Sequence, residues 1–381
     1  MLTLLDLSKI RENIDEIDTQ MVELFEKRMA LTKEVAEYKM QTGKAVLDKE
    51  REAQKLNALS SLVKEPYNTY PVQELFTQIM SMSRKYQYSL IKNYTEELSF
   101  ERLSSLPFNS ETRVVFFGET GSYSEQAMEE YFGTEVTHFS GKTFKEVMTA
   151  VHTGAADYGV LPIENSSTGG VLDMYDLLVQ YDNYILSEHI VPIRHALLGL
   201  PGASLSDIRT VYSHPQGIMQ CSAFLEAHPE ITPVEYLSTA LGAKRVLEKG
   251  KKENAAIASL RAADCYGLSV LQECLNREST NSTRFIIIGS KKAYLENASK
   301  VSLCFELPHE SGTLYNMLSH FIYNNLNMTK IESRPISGRP WEYRFFVDVE
   351  GNLADAGMKN AITGIQAEAE SIKILGNFTT I

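Results

Sequence analysis

Asn281-Ser282-Thr283-Arg284-Phe285 runs directly into the apolar segment Ile286-Ile287-Ile288-Gly289. That order aims polar side chains at the mouth of a buried strand, where each must find a partner or a ligand. Two further polar clusters, Pro162-Ile163-Glu164-Asn165-Ser166-Ser167-Thr168-Gly169-Gly170-Val171 and Ser213-His214-Pro215-Gln216, also follow short apolar runs. Together they predict one pocket at the carboxyl ends of several strands, the place where open α/β sheets bind ligands. Gly118-Glu119-Thr120-Gly121-Ser122-Tyr123-Ser124 lies between a predicted strand and a predicted helix. It is either a Gly-rich turn offering N–H groups to an anion or a plain βα turn with Ser122 and Ser124 as helix caps. Thr239, in Ser238-Thr239-Ala240, is similarly a pocket residue or a cap, and His214 a pocket residue or a strand-end side chain bonded to backbone.

A second set of charged residues lies at helical spacing. Arg28 and Lys39 are eleven residues apart, about three turns, so they share one face of a long helix. Arg11 precedes Arg28 by seventeen residues. That places it roughly 25 Å away and about 100° around the axis, within reach only of a partner chain's site if the long helices pair antiparallel. Asp48 and Glu52 are i,i+4 neighbours flanked by Arg51, and Ser83 and Gln87 share a face in the same way. Cations, an acid pair and a neutral donor pair suit a small dicarboxylate.

The elements that must hold these groups fall into three segments. From Asp6 to about Thr42 there is no Gly or Pro, and Ile10, Ile14, Ile17, Met21, Leu24 and Phe25 recur at helical spacing before Gly43. Such a helix spans roughly 55 Å. Two more helices are predicted, from the N-cap Asp48 to about Lys64 and from Pro71 into the late eighties or nineties. The first helix is too long for its two partners to cover, which predicts an intertwined dimer. A polar stretch from about Thr95 to Thr112 follows. Strands then alternate with helices, starting at Arg113-Val114-Val115-Phe116-Phe117-Gly118 and including Arg194-His195-Ala196-Leu197-Leu198-Gly199, in two halves that predict a bilobed α/β domain with a cleft. From about Lys300 the order is βαββαβ, that of a ferredoxin-like domain.

Length alone, 381 residues, predicts two or three domains. A net charge of −12 argues against nonspecific nucleic-acid binding, so an anion pocket must collect its positive charge locally. Cys221, Cys265, Cys274 and Cys304 show no CxxC spacing and are read as reduced thiols, with neither a metal site nor a disulfide framework expected. No apolar run reaches signal-peptide or bilayer length, so a cytoplasmic protein with no membrane contact is expected.

Arg11, Arg28, Lys39, Asp48, Arg51, Glu52, Ser83 and Gln87 resemble, position by position, the all-helical chorismate mutases of bacterial aromatic biosynthesis. The resemblance implies an intertwined dimer converting chorismate to prephenate. Arg28 and the partner chain's Arg11 would grip the carboxylates, and Lys39 and Gln87 the ether oxygen. Glu52 and Asp48 would hold the hydroxyl, with Arg51 and Ser83 completing the contacts. The GSYS, PIENS, SHPQ, STA and NSTRF elements look like prephenate dehydratase over residues 111 to 290. That implies a periplasmic-binding-protein-like bilobed fold and conversion of prephenate to phenylpyruvate, water and carbon dioxide without metal or redox cofactor. Thr283 is the candidate that assists the leaving hydroxyl, and Ser122, Asn165, Ser166, Gln216 and Thr239 are candidate substrate contacts. Arg284 either anchors a substrate carboxylate or pairs with Glu164, and Phe285 is core.

The last segment, with Gly312-Thr313-Leu314, Asn327 and Glu332-Ser333-Arg334-Pro335, resembles the ACT regulatory domain that binds phenylalanine between subunits. Thr313 replaces the Ala usual there and adds a hydroxyl beside the amino-acid pocket. The chain as a whole thus resembles the bifunctional P-proteins. Expected domains are an all-α mutase at 1–95, an α/β dehydratase at 111–290 and an α+β regulatory domain at 298–381, in a homodimer or a tetramer. Two alternatives stay open: an enzyme with one live activity, and a mutase joined to a non-catalytic amino-acid sensor.

Overall fold

The computed structural model describes residues 6–91, 100–276 and 280–380. Positions 1–5, and the start of the polar stretch at Thr95 with the expected end of the helical domain, lie outside them. The chain divides into two compact units. Among the described residues, a helical unit gathers 6–91 with Phe305–Met328 and Leu353–Ile372, and a sheet-based unit gathers the rest.

Helix α1 (Leu7–Thr42) starts where Asp6 accepts the N–H groups of Ser8 and Lys9, and stops at Gly43 in the left-handed region at φ 70°. Of its apolar stripe, Ile14, Ile17, Met21 and Leu24 remain exposed, Leu24 at 65%. Helix α2 (Lys49–Ser60) starts at the expected cap, where Asp48 accepts the Arg51 N–H at 3.0 Å. Helix α3 (Thr69–Leu90) places Pro71 in its first turn, where no intrahelical donor is lost.

The sheet-based unit runs β1 (Glu101–Leu103), β2 (Arg113–Phe117), α4 (Tyr123–Phe132), β3 (Thr137–Gly141), α5 (Phe144–His152), β4 (Tyr158–Asn165), β5 (Gly169–Gly170), α6 (Leu172–Gln180) and β6 (Tyr184–Pro192). It then crosses into a smaller lobe with β7 (Ala196–Gly199), β8 (Thr210–Ser213), α7 (Pro215–Gln220), α8 (Ser222–Ala227), β9 (Thr232–Glu235), α9 (Thr239–Lys249), β10 (Asn254–Ala258), α10 (Leu260–Tyr266) and β11 (Ser269–Gln272). Strand β12 (Ser282–Gly289) returns to the first lobe, and β13 (Ala293–Leu295) follows. In the polar stretch read as a connection, β1 forms a parallel ladder with β13. The smaller lobe's sheet has the order β11-β7-β10-β8-β9. Leu198, Ala256 and Ala258 pack on one side of it and Leu197, Val211 and Ile257 on the other, so both faces are covered.

The C-terminal elements are β14 (Lys300–Glu306), α11 (Thr313–Tyr323), β15 (Met328–Pro335), β16 (Tyr343–Glu350), α12 (Ala356–Glu368) and β17 (Ser371–Phe378), in the expected βαββαβ order. Their strands extend the first lobe's sheet in the order β15-β16-β14-β17-β6-β12-β4-β2-β3. The junction is narrow: Gly376 of β17 pairs with Ile185 of β6, and a Cβ on Gly376 would lie 2.1 Å from the Ile185 carbonyl oxygen. Gly376→Ala is expected to force the two backbones apart and lower the stability of this unit by at least the ~1–3 kcal/mol of an overpacked core. A drop in urea-unfolding midpoint at unchanged slope would register it.

Candidate active sites

In the helical unit a pocket of about 290 Å³ is lined by Arg28, Lys39, Asp48, Arg51, Glu52, Ser83 and Gln87, together with Lys55 and Arg84. Seven of the eight residues singled out on these helices therefore converge. Arg11 does not line it and lies exposed on α1. Arg28 donates from Nη1 to the Ser83 hydroxyl. Lys39 Nζ donates to the Val46 carbonyl at 2.6 Å. Burial lowers the pKa of both cations, opposed by the carboxylate of Glu52 and, at Lys39, first by that of Asp48. Gln87 donates to the Ser83 carbonyl at 3.2 Å, while its side-chain oxygen is buried with no partner. Arg84 was missed by sequence reasoning. It donates to both oxygens of Glu52 at 2.7 Å, and its position beside Ser83 on α3 was the signal available.

In the sheet-based unit a cleft of about 820 Å³ is lined from both lobes, among others by Ser122, Asn165, Gln216, Thr239 and Thr283. Thr283 on β12 stands in register with Asn165 on β4. Asn165 Nδ2 donates to Thr283 Oγ1 and to Asn281 Oδ1, each at 2.9 Å. Asn165 Oδ1 meanwhile accepts the N–H groups of Ser167 and Thr168, which shapes the following turn. Because its oxygen already accepts, the Thr283 hydroxyl keeps its hydrogen for a group in the cleft.

The two ambiguous turns resolve locally. In the Gly-rich turn the Gly121 N–H goes to Glu125 at 2.6 Å and the Ser122 N–H to the Glu119 carbonyl, so these donors are engaged within the turn. Ser122 caps α4, accepting the Glu125 N–H at 3.3 Å. At the start of α9 the cap is Ser238, not Thr239, which leaves Thr239 among the cleft residues. The first residues of α4 and α9 both line the cleft, so two helix N-termini bring partial positive charge to it. His214 lines it too, as the cap that accepts the Gln216 N–H at 3.2 Å.

Two assigned residues stand outside the cleft lining. Ser166 accepts the Ser282 N–H at 2.9 Å and so ties the β4–β5 turn to β12. Arg284 takes the second of its two readings and more, pairing with Glu164 at 2.6 Å, with Glu188 at 2.5 Å and with Asp348 at 3.5 Å. Phe285 is 2% exposed and packs in the core, and it also contributes to the cleft lining. Among the C-terminal candidates, Gly312 caps α11 at φ 82°, followed by Thr313 and Leu314 in its first turn, and Asn327 precedes β15. Glu332, Ser333, Arg334 and Pro335 end β15, with Arg334 paired to Asp176 at 2.5 Å.

Sequence reasoning also overlooked a buried polar chain in the cleft wall. His195, 3% exposed, contacts the Tyr123 hydroxyl through Nδ1 at 3.1 Å and Gln220 Oε1 through Nε2 at 3.0 Å. All three residues line the cleft. A histidine placed directly before the apolar run Ala196–Gly199 was the hint of it in the sequence.

Comparison with known proteins agrees with this division into a mutase-like pocket and a dehydratase-like cleft. Residues 10–88 match the family model for chorismate mutase type II, and residues 114–293 that for prephenate dehydratase. The bifunctional chorismate mutase/prephenate dehydratase of Enterobacter agglomerans is 33% identical, over 97% of this chain and 95% of its own. The structure of a prephenate dehydratase from Arthrobacter aurescens in complex with L-Phe is 30% identical, with a TM-score of 0.66 over 70% of this chain and 90% of that one. A quorum-quenching acylase, GqqA, is 31% identical with a TM-score of 0.66, over 71% of this chain and 98% of that one. The two sites and the fold of the α/β unit define an enzyme of two joined activities. The chain belongs to the bifunctional chorismate mutase/prephenate dehydratase family.

Burial lowers the pKa of His195 from 6.5 to about 4, only partly offset by its bond to Gln220. The folded state therefore binds its proton later than the unfolded chain does. Its contribution is intact above pH 6.5 and is lost as pH falls toward 4, at about 1.4 kcal/mol per pH unit. Urea unfolding at several pH values should show this slope, and His195→Gln should flatten it.

Proposed function

We propose that the helical pocket rearranges chorismate to prephenate and that the cleft converts prephenate to phenylpyruvate, so that one chain catalyses two consecutive steps toward phenylalanine. The observation that carries this reading is the convergence of Arg28, Lys39, Asp48, Arg51, Glu52, Ser83 and Gln87 on one small pocket in a member of this family. The rearrangement is unimolecular and needs no covalent help, so positioning and preorganised charge supply the rate. Arg28 binds one carboxylate. Lys39 and Gln87 face the ether oxygen as its bond breaks, Asp48 and Glu52 hold the hydroxyl, and Arg51 and Ser83 complete the contacts. The exposed apolar stripe of α1 is covered by a second copy in a homodimer, which carries Arg11 into the partner's pocket.

In the cleft, the bond from the ring to its carboxylate carbon breaks and releases carbon dioxide. That electron pair enters the ring as it becomes aromatic and expels the ring hydroxyl, which takes up one proton and leaves as water. Thr283 donates a hydrogen bond to the departing oxygen, with Asn165 holding its own oxygen in place. Ser122, Gln216 and Thr239 bind the substrate, and the N-termini of α4 and α9 favour its carboxylates. Arg284 and Ser166 support the site from behind.

The C-terminal segment, 298–381, is read as a ferredoxin-like ACT domain that senses phenylalanine, after a mutase domain at 1–95 and a dehydratase domain at 111–290. Its βαββαβ order and the β15-β16-β14-β17 strand order support this. Thr313 donates back to the Pro308 or Glu310 carbonyl, at 3.1 and 3.0 Å, which keeps the added hydroxyl engaged with backbone. Phenylalanine inhibits by binding a less active arrangement more tightly than the active one. No described helix is long and apolar enough to cross a membrane.

The test supplies chorismate to the purified protein and follows chorismate loss and phenylpyruvate formation together, with and without phenylalanine. Both are expected, with phenylpyruvate formation falling when phenylalanine is added. Arg28→Ala should abolish the mutase and spare the dehydratase, and Thr283→Ala should do the reverse. Prephenate that accumulates unchanged with the parent protein would refute the dehydratase assignment.

A further inference from the structure

We infer that Glu368, on α12 of the C-terminal segment, is a positioning residue for the mutase pocket and acts on Glu52 through Arg84. The inference rests on the mutase reading of that pocket. Arg84 is 6% exposed and lies between two carboxylates contributed by distant parts of the chain. Its Nη1 donates to both oxygens of Glu52 at 2.7 Å, and its Nε donates to Glu368 Oε1 at 2.8 Å. The orientation of the Glu52 carboxylate is thus set by Arg84, and that of Arg84 by Glu368.

Glu368 is itself held firmly. Its side chain is 9% exposed, and its second oxygen lies 3.5 Å from His320 Nε2 on α11. Burial disfavours the ionised carboxylate and also lowers the pKa of His320, so it is chiefly the Arg84 guanidinium that keeps the Glu368 carboxyl below the usual range. His320 has its place because residue 364 on α12 is glycine. A Cβ there would approach the ring to 2.3 Å. Beside Arg84, Lys85 donates to Ser319 of α11 at 2.6 Å and to Ser81 at 3.0 Å, which fixes α11 against α3. Two ion pairs in series therefore run from the C-terminal helix to a carboxylate in the pocket. Without Glu368, Arg84 would keep only Glu52 as a carboxylate partner among the described residues, free to draw that carboxylate off the substrate hydroxyl.

The variants to make in the full-length chain are Glu368→Gln, Glu52→Gln and the double substitution. Mutase activity is assayed with chorismate, and dehydratase activity with prephenate as an internal control of folding. Glu368→Gln is expected to lower mutase kcat on the order of 10–100-fold, the scale of a misplacement of about 1 Å, with a smaller change in KM and an unaltered dehydratase. Because Glu368 acts through Glu52, adding Glu368→Gln to Glu52→Gln should cost no further activity. Parental mutase kcat in Glu368→Gln would overturn the inference, and so would losses that multiply in the double variant. If Glu368→Gln failed to fold, Glu368→Asp, which keeps the charge but shortens its reach, should show the same selective loss of mutase kcat, and parental kcat there would overturn the inference. A parent protein with no mutase activity would instead defeat the reading of the pocket on which the inference rests.

Discussion

A half-buried arginine in the middle of the long sheet constrains everything around it. Arg284 follows Thr283 on β12, so the two side chains point to opposite faces of the sheet. On the face away from the cleft, Arg284 meets Glu164 of β4, Glu188 of β6 and Asp348 of β16. Lys300 of β14 pairs with Glu188 at 2.6 Å, and Lys330 of β15 with Glu164 at 3.0 Å. Glu188 is 1% exposed, so an incomplete set would strand a charge away from water at a cost of about 3–5 kcal/mol. Slipping β12 by one residue would aim Arg284 into the cleft and Thr283 at these carboxylates. The cluster thereby fixes the register that sets Thr283 opposite Asn165, and it does so with side chains from five other strands of the same sheet.

The same cluster explains where sequence patterning ran short. Strands β4 and β6 each pass from an apolar stretch into charged residues, Glu164 on one and Glu188 and His189 on the other, which in sequence look like the start of a polar connection. Both strands continue, to Asn165 and Pro192, since the charges that seem to end them are neutralised by the strands beside them. Strands β3 and β9 were not anticipated, because Thr137–Gly141 and Thr232–Glu235 are largely exposed and lack an apolar alternation. The helices were legible because their signals are local. Asp6, Gly43 and Asp48 act within a turn of their own positions.

The same division between local and distant partners runs through the sites. Polar residues that flank an apolar run, such as Asn165 and Gln216 after one and Thr283 before one, could be recognised from their immediate neighbours. The Tyr123–His195–Gln220 chain could not, because its members come from α4, the approach to β7 and the end of α7. Nor could the Arg84–Glu368 pair, whose members are 284 positions apart. Ser238 and Thr239 show a finer limit. Adjacent hydroxyls are equivalent as caps in sequence, and only the backbone's entry into α9 selects Ser238.

Ion-pair partners also separate cations that hold the fold from cations available to a ligand. Arg84 and Arg284 are each surrounded by carboxylates, which raise their pKa values against the opposing effect of burial. Their charge is cancelled within the protein, so they suit a role in fixing other groups. Arg28 and Lys39 donate to a hydroxyl and a carbonyl, and burial lowers their pKa values. A dicarboxylate entering that pocket would offer direct ion pairs to two cations whose hydrogen bonds otherwise go to neutral groups. Lys85, also lowered and also bonded to hydroxyls, shows that the criterion needs geometry as well, for it is absent from the pocket wall. In a chain of net charge −12, anion recognition then depends on a few positive groups gathered at the site, where the ion pair with Arg84 keeps the nearby Glu52 occupied.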